Sequence, residues 1–130
     1  MILLDTHVWV WYVSSPEYLS QKAMAYVEQA KREKRVFISC ISAWEVALLV
    51  KKGRLQFTID VDDWISRAER LPFFQFVPVD NAIAVRSVNL SNLHPDPADR
   101  IIIATALRLG VPIVTKDEKI RAYHGVETIW

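Results

Sequence analysis

Short apolar runs alternate along the chain with longer segments in which apolar residues recur at helical spacing. The short runs are rich in β-branched or aromatic residues and are bounded by turns or charges. This pattern predicts strands at Ile2–Leu4, Val36–Ser39, Phe76–Val79 and Pro112–Thr115, with a fifth candidate at Glu127–Trp130. Because strands and helices alternate, the pattern indicates a parallel, layered α/β sheet.

Helical periodicity predicts two surface helices and one buried helix. In each surface helix the apolar residues share one face: Leu19, Ala23, Val27 and Ala30 in the first, and Val61, Trp64, Ile65, Ala68 and Leu71 in the second. The segment Ala98–Leu109 is apolar almost all round and is followed by Gly110 and Pro112. That pattern is typical of a helix in the middle of a domain.

Length and composition narrow the class of protein. With 130 residues, of which 52% are hydrophobic and 24% charged, the chain suits one domain spanning 1–130. Sixteen Lys and Arg against 15 Asp and Glu exclude a strongly basic surface, so contact with nucleic acid must come from local patches. The lone Cys40 excludes a disulfide framework and indicates a cytoplasmic protein. The apolar start is interrupted by Asp5 and predicts neither a signal peptide nor a membrane span.

Four carboxylates occupy positions that can meet at one rim of the sheet. Asp5 and Asp117 follow predicted strands, Glu45 lies in the predicted first turn of a helix running to Lys52, and Asp99 lies in the first turn of the buried helix. Ligands of an open parallel sheet bind outside the carboxyl ends of its strands. Clustered acids repel one another unless a cation lies among them, and hard oxygen ligands suit Mg²⁺ or Mn²⁺. Such a site hydrolyses phosphodiesters.

Three of these acids also have a structural interpretation. Ser42-x-x-Glu45 fits a capping box, and Asp117 suits the start of a helix. The run Asp96-Pro97-Ala98-Asp99 fits an N-cap, a proline at the first helical position and an acid in the first turn. No helix propensity demands Asp5, so Asp5 is the strongest functional candidate.

Two further acids are less suited to the site. Asp96 fits the helix cap better than the site. Asp80 ends a predicted strand that contains Pro78, and a strand containing proline belongs at the edge of a sheet. Asp80 is therefore left out of the candidate site.

Four stretches have the order and spacing of a known family: Ile2–His7, Ser42–Val46, Asp96–Ala106 and Val114–Asp117. On these stretches the chain resembles the PIN domain, in the branch of VapC-like toxins of bacterial and archaeal toxin–antitoxin pairs. The resemblance implies a three-layer αβα fold with a central parallel sheet of four to five strands. It also implies a Mg²⁺- or Mn²⁺-dependent endoribonuclease that acts as a toxin, forms a homodimer and is inhibited by an antitoxin protein.

The family's acidic quartet falls on the same four acids: Asp5, Glu45, Asp99 and Asp117. Thr6 and Thr115 match polar positions beside the quartet, where a hydroxyl can orient a carboxylate or simply bond to backbone. Asp96 belongs to a variant of the motif in which His94 and Asp96 precede Asp99. Its role as a further metal ligand is left open.

Contacts with RNA and antitoxin must come from other residues. Basic candidates for RNA contact are Arg100, Lys116 and Lys119 near the acids, and Lys51, Lys52 and Arg54 after the Glu45 helix. Aromatic residues crowd the segment after Asp5, and core packing is their default role. Our hypothesis is that one of three lines a groove for the antitoxin: Trp9, Trp11 or Tyr12. His7 and His94 are weaker candidates for a general base.

Other functions compete with the nuclease. A PIN module that binds RNA or a partner without cutting has the same sequence pattern. A phospho-acceptor receiver requires an acidic pair after the first strand, whereas Asp5 has no acidic neighbour. A phosphoaspartyl phosphatase requires a second Asp where this chain has His7.

Overall fold

The computed structural model describes residues 1–91 and 95–130. In these residues the strands are β1 (Ile2–Leu4), β2 (Val36–Ser39), β3 (Phe74–Val77), β4 (Ile113–Val114) and β5 (Thr128–Ile129). The helices are α1 (Thr6–Ser14), α2 (Gln21–Arg32), α3 (Cys40–Lys51), α4 (Val61–Glu69), α5 (Asn81–Asn89), α6 (Pro97–Leu109) and α7 (Glu118–Arg121), with a 3₁₀ turn at Pro16–Tyr18.

The described strands form one parallel sheet in the order β3-β2-β1-β4-β5. Alternate side chains of β1 point to opposite faces, so Ile2 and Leu4 join one core and Leu3 joins the other. The first core is covered by residues of α1, α2 and α4, and the second by residues of α6 and α7. The three-layer αβα architecture expected from the sequence is therefore confirmed.

Strand and helix positions agree with the sequence pattern to different degrees. The predicted strands Ile2–Leu4 and Val36–Ser39 are confirmed, and Pro97–Leu109 is the expected buried helix. This helix ends at Gly110, whose φ of 68° is a left-handed conformation that glycine adopts without strain.

The prediction for the third strand was wrong in its bounds. The strand spans Phe74–Val77 rather than Phe76–Val79, and Pro78, which has no N–H to donate, follows the strand instead of lying within it. Its predicted position at the edge of the sheet is confirmed. Asp80 begins α5, because its side chain accepts a hydrogen bond from the amide of Ile83.

The sheet topology places the end of β1 at the centre of one rim. β1 lies between β2 and β4, so the residues that follow these three strands come together: Asp5 after β1, the start of α3 after β2, and Thr115 after β4. The described residues contain no helix long and apolar enough to cross a membrane.

Candidate active site

Asp5 links β1 to α1 and is 6% exposed. One carboxylate oxygen, Oδ1, accepts a hydrogen bond from the Thr6 amide at 2.8 Å, and Oδ2 accepts one from the Thr115 hydroxyl at 2.7 Å. The expectation that no helix needs this acid was wrong, because α1 begins at the next residue and Asp5 is its N-cap. Its buried charge is nonetheless held by a donor 110 residues away, which capping does not require.

Glu45 lies on α3 and is linked to Asp5 through Thr6, whose amide donates to Asp5 and whose hydroxyl donates to Glu45. The Thr6 hydroxyl donates to Glu45 Oε1 at 2.6 Å and lies 2.8 Å from the Ser42 hydroxyl. The predicted capping box was wrong: α3 begins at Cys40 and is capped by Ser39, so Glu45 lies beyond the first turn. The helix also ends at Lys51, with Lys52 as its C-cap.

The other acids lie at the starts of α6 and α7. Asp96 accepts hydrogen bonds from the amides of Ala98 and Asp99, which confirms the predicted N-cap. Asp99 is 8% exposed in the first turn of α6. Asp117 accepts bonds from the amides of Lys119 and Ile120 and so caps α7, as its structural interpretation predicts.

The charges of these acids act on one another. The pKa of Asp99 is raised to about 8, first by burial and then by repulsion from Asp5, Asp96, Asp117 and Glu45. Burial also raises the pKa of Asp5, against the hydrogen bonds of Thr115 and Thr6 that lower it. The pKa of Glu45 is raised by burial first, against the Thr6 bond, and further by Asp5 and Asp96. The four predicted site acids are therefore electrostatic neighbours.

Carboxylate oxygens that repel one another are suited to a hard divalent cation such as Mg²⁺ or Mn²⁺. In residues 1–91 and 95–130, however, no three or more His, Cys, Asp and Glu side chains are arranged to hold a metal ion. The donor chemistry thus fits a cation, although the described acids are not gathered into a ligand set. Asp5, Glu45, Asp99 and Asp117 are the residues that would hold it.

A cavity of about 310 Å³ opens beside Asp5 and Asp117. Its other lining residues are His7, Val8, Trp11 and Lys116. His7 is exposed, its ring lies 5.9 Å from that of Trp11, and its charge lowers the pKa of both Asp5 and Glu45. His7, a weaker candidate for a general base in the sequence, thus lies in the lining of this cavity two residues after Asp5.

The remaining predicted residues have distinct environments. Arg100 donates to the carbonyls of Ser87 and Val88 at the end of α5, which favours a structural role over RNA contact. Trp9 is fully buried against Trp64 and Phe76, so it does not line a groove.

Two predicted contact residues lie nearer the surface, and one candidate general base lies outside the described residues. Tyr12 is half-buried and donates to Glu28, while Lys119 is exposed in α7. His94 lies outside the described residues.

The sheet order, the acids at the carboxyl ends of its strands and the helices on both faces define a class of protein. The sequence model of the PIN domain matches residues 2–126, and the chain belongs to the PIN-domain family. Within that family it is similar to Ribonuclease VapC22 of Mycobacterium tuberculosis, with 35% identity over 133 aligned positions that cover 99% of this chain and 98% of the relative.

Solved structures share the fold. VapBC2 from Rickettsia felis, bound to a DNA fragment from its promoter, superposes with a TM-score of 0.72 at 15% identity and covers 98% of this chain and 97% of its own. FitAcB from Neisseria gonorrhoeae gives a TM-score of 0.70 at 24% identity, covering 98% of this chain and 96% of its own. At these identities the structures support the fold alone.

Proposed function

We propose that this chain is a divalent-metal-dependent endoribonuclease that acts as the toxin of a toxin–antitoxin pair. The observation that carries the proposal is a group of acids at one rim of the sheet, in which Asp5 and Asp99 are buried. Burial first, and then repulsion from the neighbouring acids, raises the pKa of Asp99 to about 8. The similarity to a relative named as a ribonuclease supports RNA as the substrate. The alternative is a PIN module that binds RNA or a partner without cutting, and the cleavage assay below distinguishes it from a nuclease.

The residues around the cavity have three proposed roles: metal binding, phosphate contact and base stacking. Asp5, Glu45, Asp99 and Asp117 would hold Mg²⁺ or Mn²⁺, which when bound supplies Lewis-acid activation of water and charge stabilisation at the leaving oxygen. Lys116, exposed in the same cavity, offers a positive charge to a phosphate. The half-buried ring of Trp11 offers a face on which an unpaired base can stack.

The first experiment is cleavage of total cellular RNA by the purified, antitoxin-free protein with Mg²⁺ or Mn²⁺. We expect discrete fragments that disappear with EDTA and with Asp5→Asn. Asp80→Asn is the matched control, because it also replaces the carboxylate that caps a helix but lies outside the acidic cluster. Intact RNA with the folded wild-type protein in both metals would favour the non-cutting module.

We propose that the antitoxin docks on a second cavity, of about 240 Å³, that shares His7 and Trp11 with the first. Half of its lining is apolar or aromatic, and besides Trp11 this half consists of Val10, Tyr18, Leu49, Leu55 and Phe57. The other half is polar and includes the cation Arg54. This position favours Trp11 among the three aromatic candidates. An occupant of this cavity would lie beside the first cavity, where it can block the access of RNA.

Co-purification with the protein encoded by the neighbouring gene tests this docking site. We expect Trp11→Ala to lose the partner and Tyr26→Ala to keep it, because Tyr26 is an exposed aromatic outside both cavities. Retention of the partner by folded Trp11→Ala would exclude this cavity as the main anchor.

We also propose that two copies associate through α5. Val85 and Val88 are 60% and 66% exposed and lie one helical turn apart on that helix. Exposed valines in this arrangement offer an apolar surface to a second copy. We expect the wild type to sediment as a dimer and Val88→Asp as a monomer, whereas a dimeric variant would exclude α5 as the interface.

A further inference from the structure

Ser42 is a wholly buried polar residue that the acidic quartet does not include. The sequence pattern predicts Ser42 as a helix cap, but the cap of α3 is Ser39. The Ser39 hydroxyl accepts a hydrogen bond from the amide of Ile41 at 3.2 Å. The hydroxyl of Ser42 lies instead 2.8 Å from that of Thr6, which is also wholly buried. A buried hydroxyl with no capping role calls for another explanation.

Counting protons sets the direction of the bond between these hydroxyls. A serine or threonine hydroxyl has one proton to donate, and an ionised carboxylate can only accept. Thr6 donates its proton to Glu45 Oε1 at 2.6 Å. The bond between Ser42 and Thr6 must then use the proton of Ser42, so donation runs from Ser42 to Thr6 to Glu45.

The same construction occurs at the other threonine of the site. The backbone amide of Asp117 donates to the Thr115 hydroxyl at 3.0 Å, and that hydroxyl donates to Asp5 Oδ2 at 2.7 Å. Each threonine hydroxyl thus accepts one hydrogen bond and donates one to a carboxylate of the site. Ser42 donates to Thr6 as the backbone amide of Asp117 donates to Thr115.

We propose that Ser42 is a positioning residue for Glu45: it donates to Thr6 and so keeps the Thr6 proton directed at the carboxylate. Without this donor, the Thr6 oxygen lacks a partner in a buried place, and its hydroxyl is free to rotate away from Glu45. Glu45 then loses the contact that fixes the orientation of its carboxyl group. The inference rests on the proposed function only in taking Glu45 as a ligand of the divalent cation.

The test is the dissociation constant of Mn²⁺, measured by electron paramagnetic resonance of the free ion. Partners that orient ligands cost 10- to 100-fold in metal affinity when removed, and we expect Ser42→Ala to weaken binding about 10-fold. In the background of Glu45→Gln, Ser42→Ala should cause no further loss, because it acts through Glu45. Thr6→Val should weaken binding as Ser42→Ala does, while Thr6→Ser keeps the hydroxyl and stays near wild type.

Ser87→Ala is the matched control, since Ser87 is also a buried hydroxyl but donates to the Ala84 carbonyl within α5. Unchanged affinity in Ser42→Ala, or equal weakening with and without Glu45→Gln, would overturn the inference. A wild type that neither binds Mn²⁺ nor cuts RNA would contradict the proposed function instead. The chain of bonds is then tested without metal, by the urea unfolding midpoints of wild type, Ser42→Ala, Glu45→Gln and the double variant. Coupling between the two substitutions supports the inference, and additivity overturns it.

Discussion

The acidic site is assembled from two sides by different means. On the strand side, Asp5 receives a hydrogen bond from the Thr115 hydroxyl, in addition to the Thr6 amide that it accepts as the cap of α1. Glu45 receives one from the Thr6 hydroxyl. On the helix side, Asp96 and Asp117 receive bonds from backbone amides of the helices that they begin. The first arrangement needs particular partner side chains, whereas the second needs only a helix.

The two sides also differ in the reach of their bonds along the chain. The hydroxyl donors lie 39 and 110 residues from the carboxylates that they serve, so these bonds exist only once β1, α3 and β4 have come together. The amide donors lie two or three residues away. The position of each carboxylate on the strand side should therefore depend on its hydroxyl partner, while on the helix side it should depend on the helix that the acid caps.

The largest effect should follow removal of charge on either side. Glu45 represents the strand side, and Asp99, in the first turn of α6, represents the helix side. We expect Glu45→Gln and Asp99→Asn each to lower RNA cleavage at least about 100-fold, more than loss of a partner that merely orients a ligand. Asp80→Asn should cleave like wild type. Cleavage rates at saturating Mg²⁺, with folding checked by circular dichroism, measure this. Loss on one side only would mean that the two sides do not form one site.

The difference in reach also explains what the sequence could predict. The caps of α6 and α7 are local patterns, and Asp5 and Asp117 were found because acids at strand ends share a rim of a parallel sheet. The start of α3 was misplaced because both Ser39 and Ser42 are good capping residues. Only the packed structure decides that Ser39 is the cap.

Other features lack a local signal altogether. The bond between Thr6 and Ser42 joins residues 36 apart, on α1 and α3, and no spacing rule connects them. Helix α5 was not predicted, because Val85 and Val88 are apolar residues on its exposed side and obscure the amphipathic pattern of a surface helix. Pairing and packing, rather than propensity, define these parts of the molecule.

A second prediction concerns the stability of the metal-free protein, through Asp99. Because its folded-state pKa of about 8 lies above the ordinary value of 3.8, the folded protein holds a proton that the unfolded chain releases. This stabilising contribution is present at low pH and is lost as pH rises through about 8. We expect the free energy of unfolding, measured with urea and EDTA, to fall by on the order of 2 kcal/mol between pH 5 and pH 8.

Asp99→Asn separates this effect from other titrations. The variant should lose most of the pH dependence and be more stable than wild type at pH 8, although we expect its RNA cleavage to be lowered. Mg²⁺ should raise the stability of wild type at pH 8 by compensating the same repulsion. A wild type that gains stability between pH 5 and pH 8 without metal would contradict the repulsion assigned to this site.

Thr115 offers a smaller effect that is specific to the strand side. Thr115→Val keeps the shape of the side chain but removes the donor to Asp5 and the acceptor for the Asp117 amide. We expect cleavage to fall about 10-fold, whereas Thr115→Ser should retain most activity. Equal activity of the two variants would mean that the hydroxyl does not hold Asp5.

The smallest effect is expected at Asp96. Its size decides whether this residue only caps α6 or also binds the metal. Asn caps a helix about as well as Asp, whereas Ala costs about 1 kcal/mol, so Asp96→Ala should lower the free energy of unfolding and Asp96→Asn should not. Removal of the Asp96 charge also removes repulsion that raises the pKa of Asp99, which adds slightly to the stability of the Asn variant.

Cleavage by the Asp96→Asn variant then separates capping from metal binding. If Asp96 serves only α6, the variant keeps its cap and should cleave within a few-fold of wild type. If its carboxylate is a metal ligand, cleavage should instead fall as in Asp99→Asn while the unfolding free energy stays unchanged. We expect the first result, because the two amide bonds at 2.8 and 3.2 Å already direct Asp96 Oδ1 to the start of its own helix.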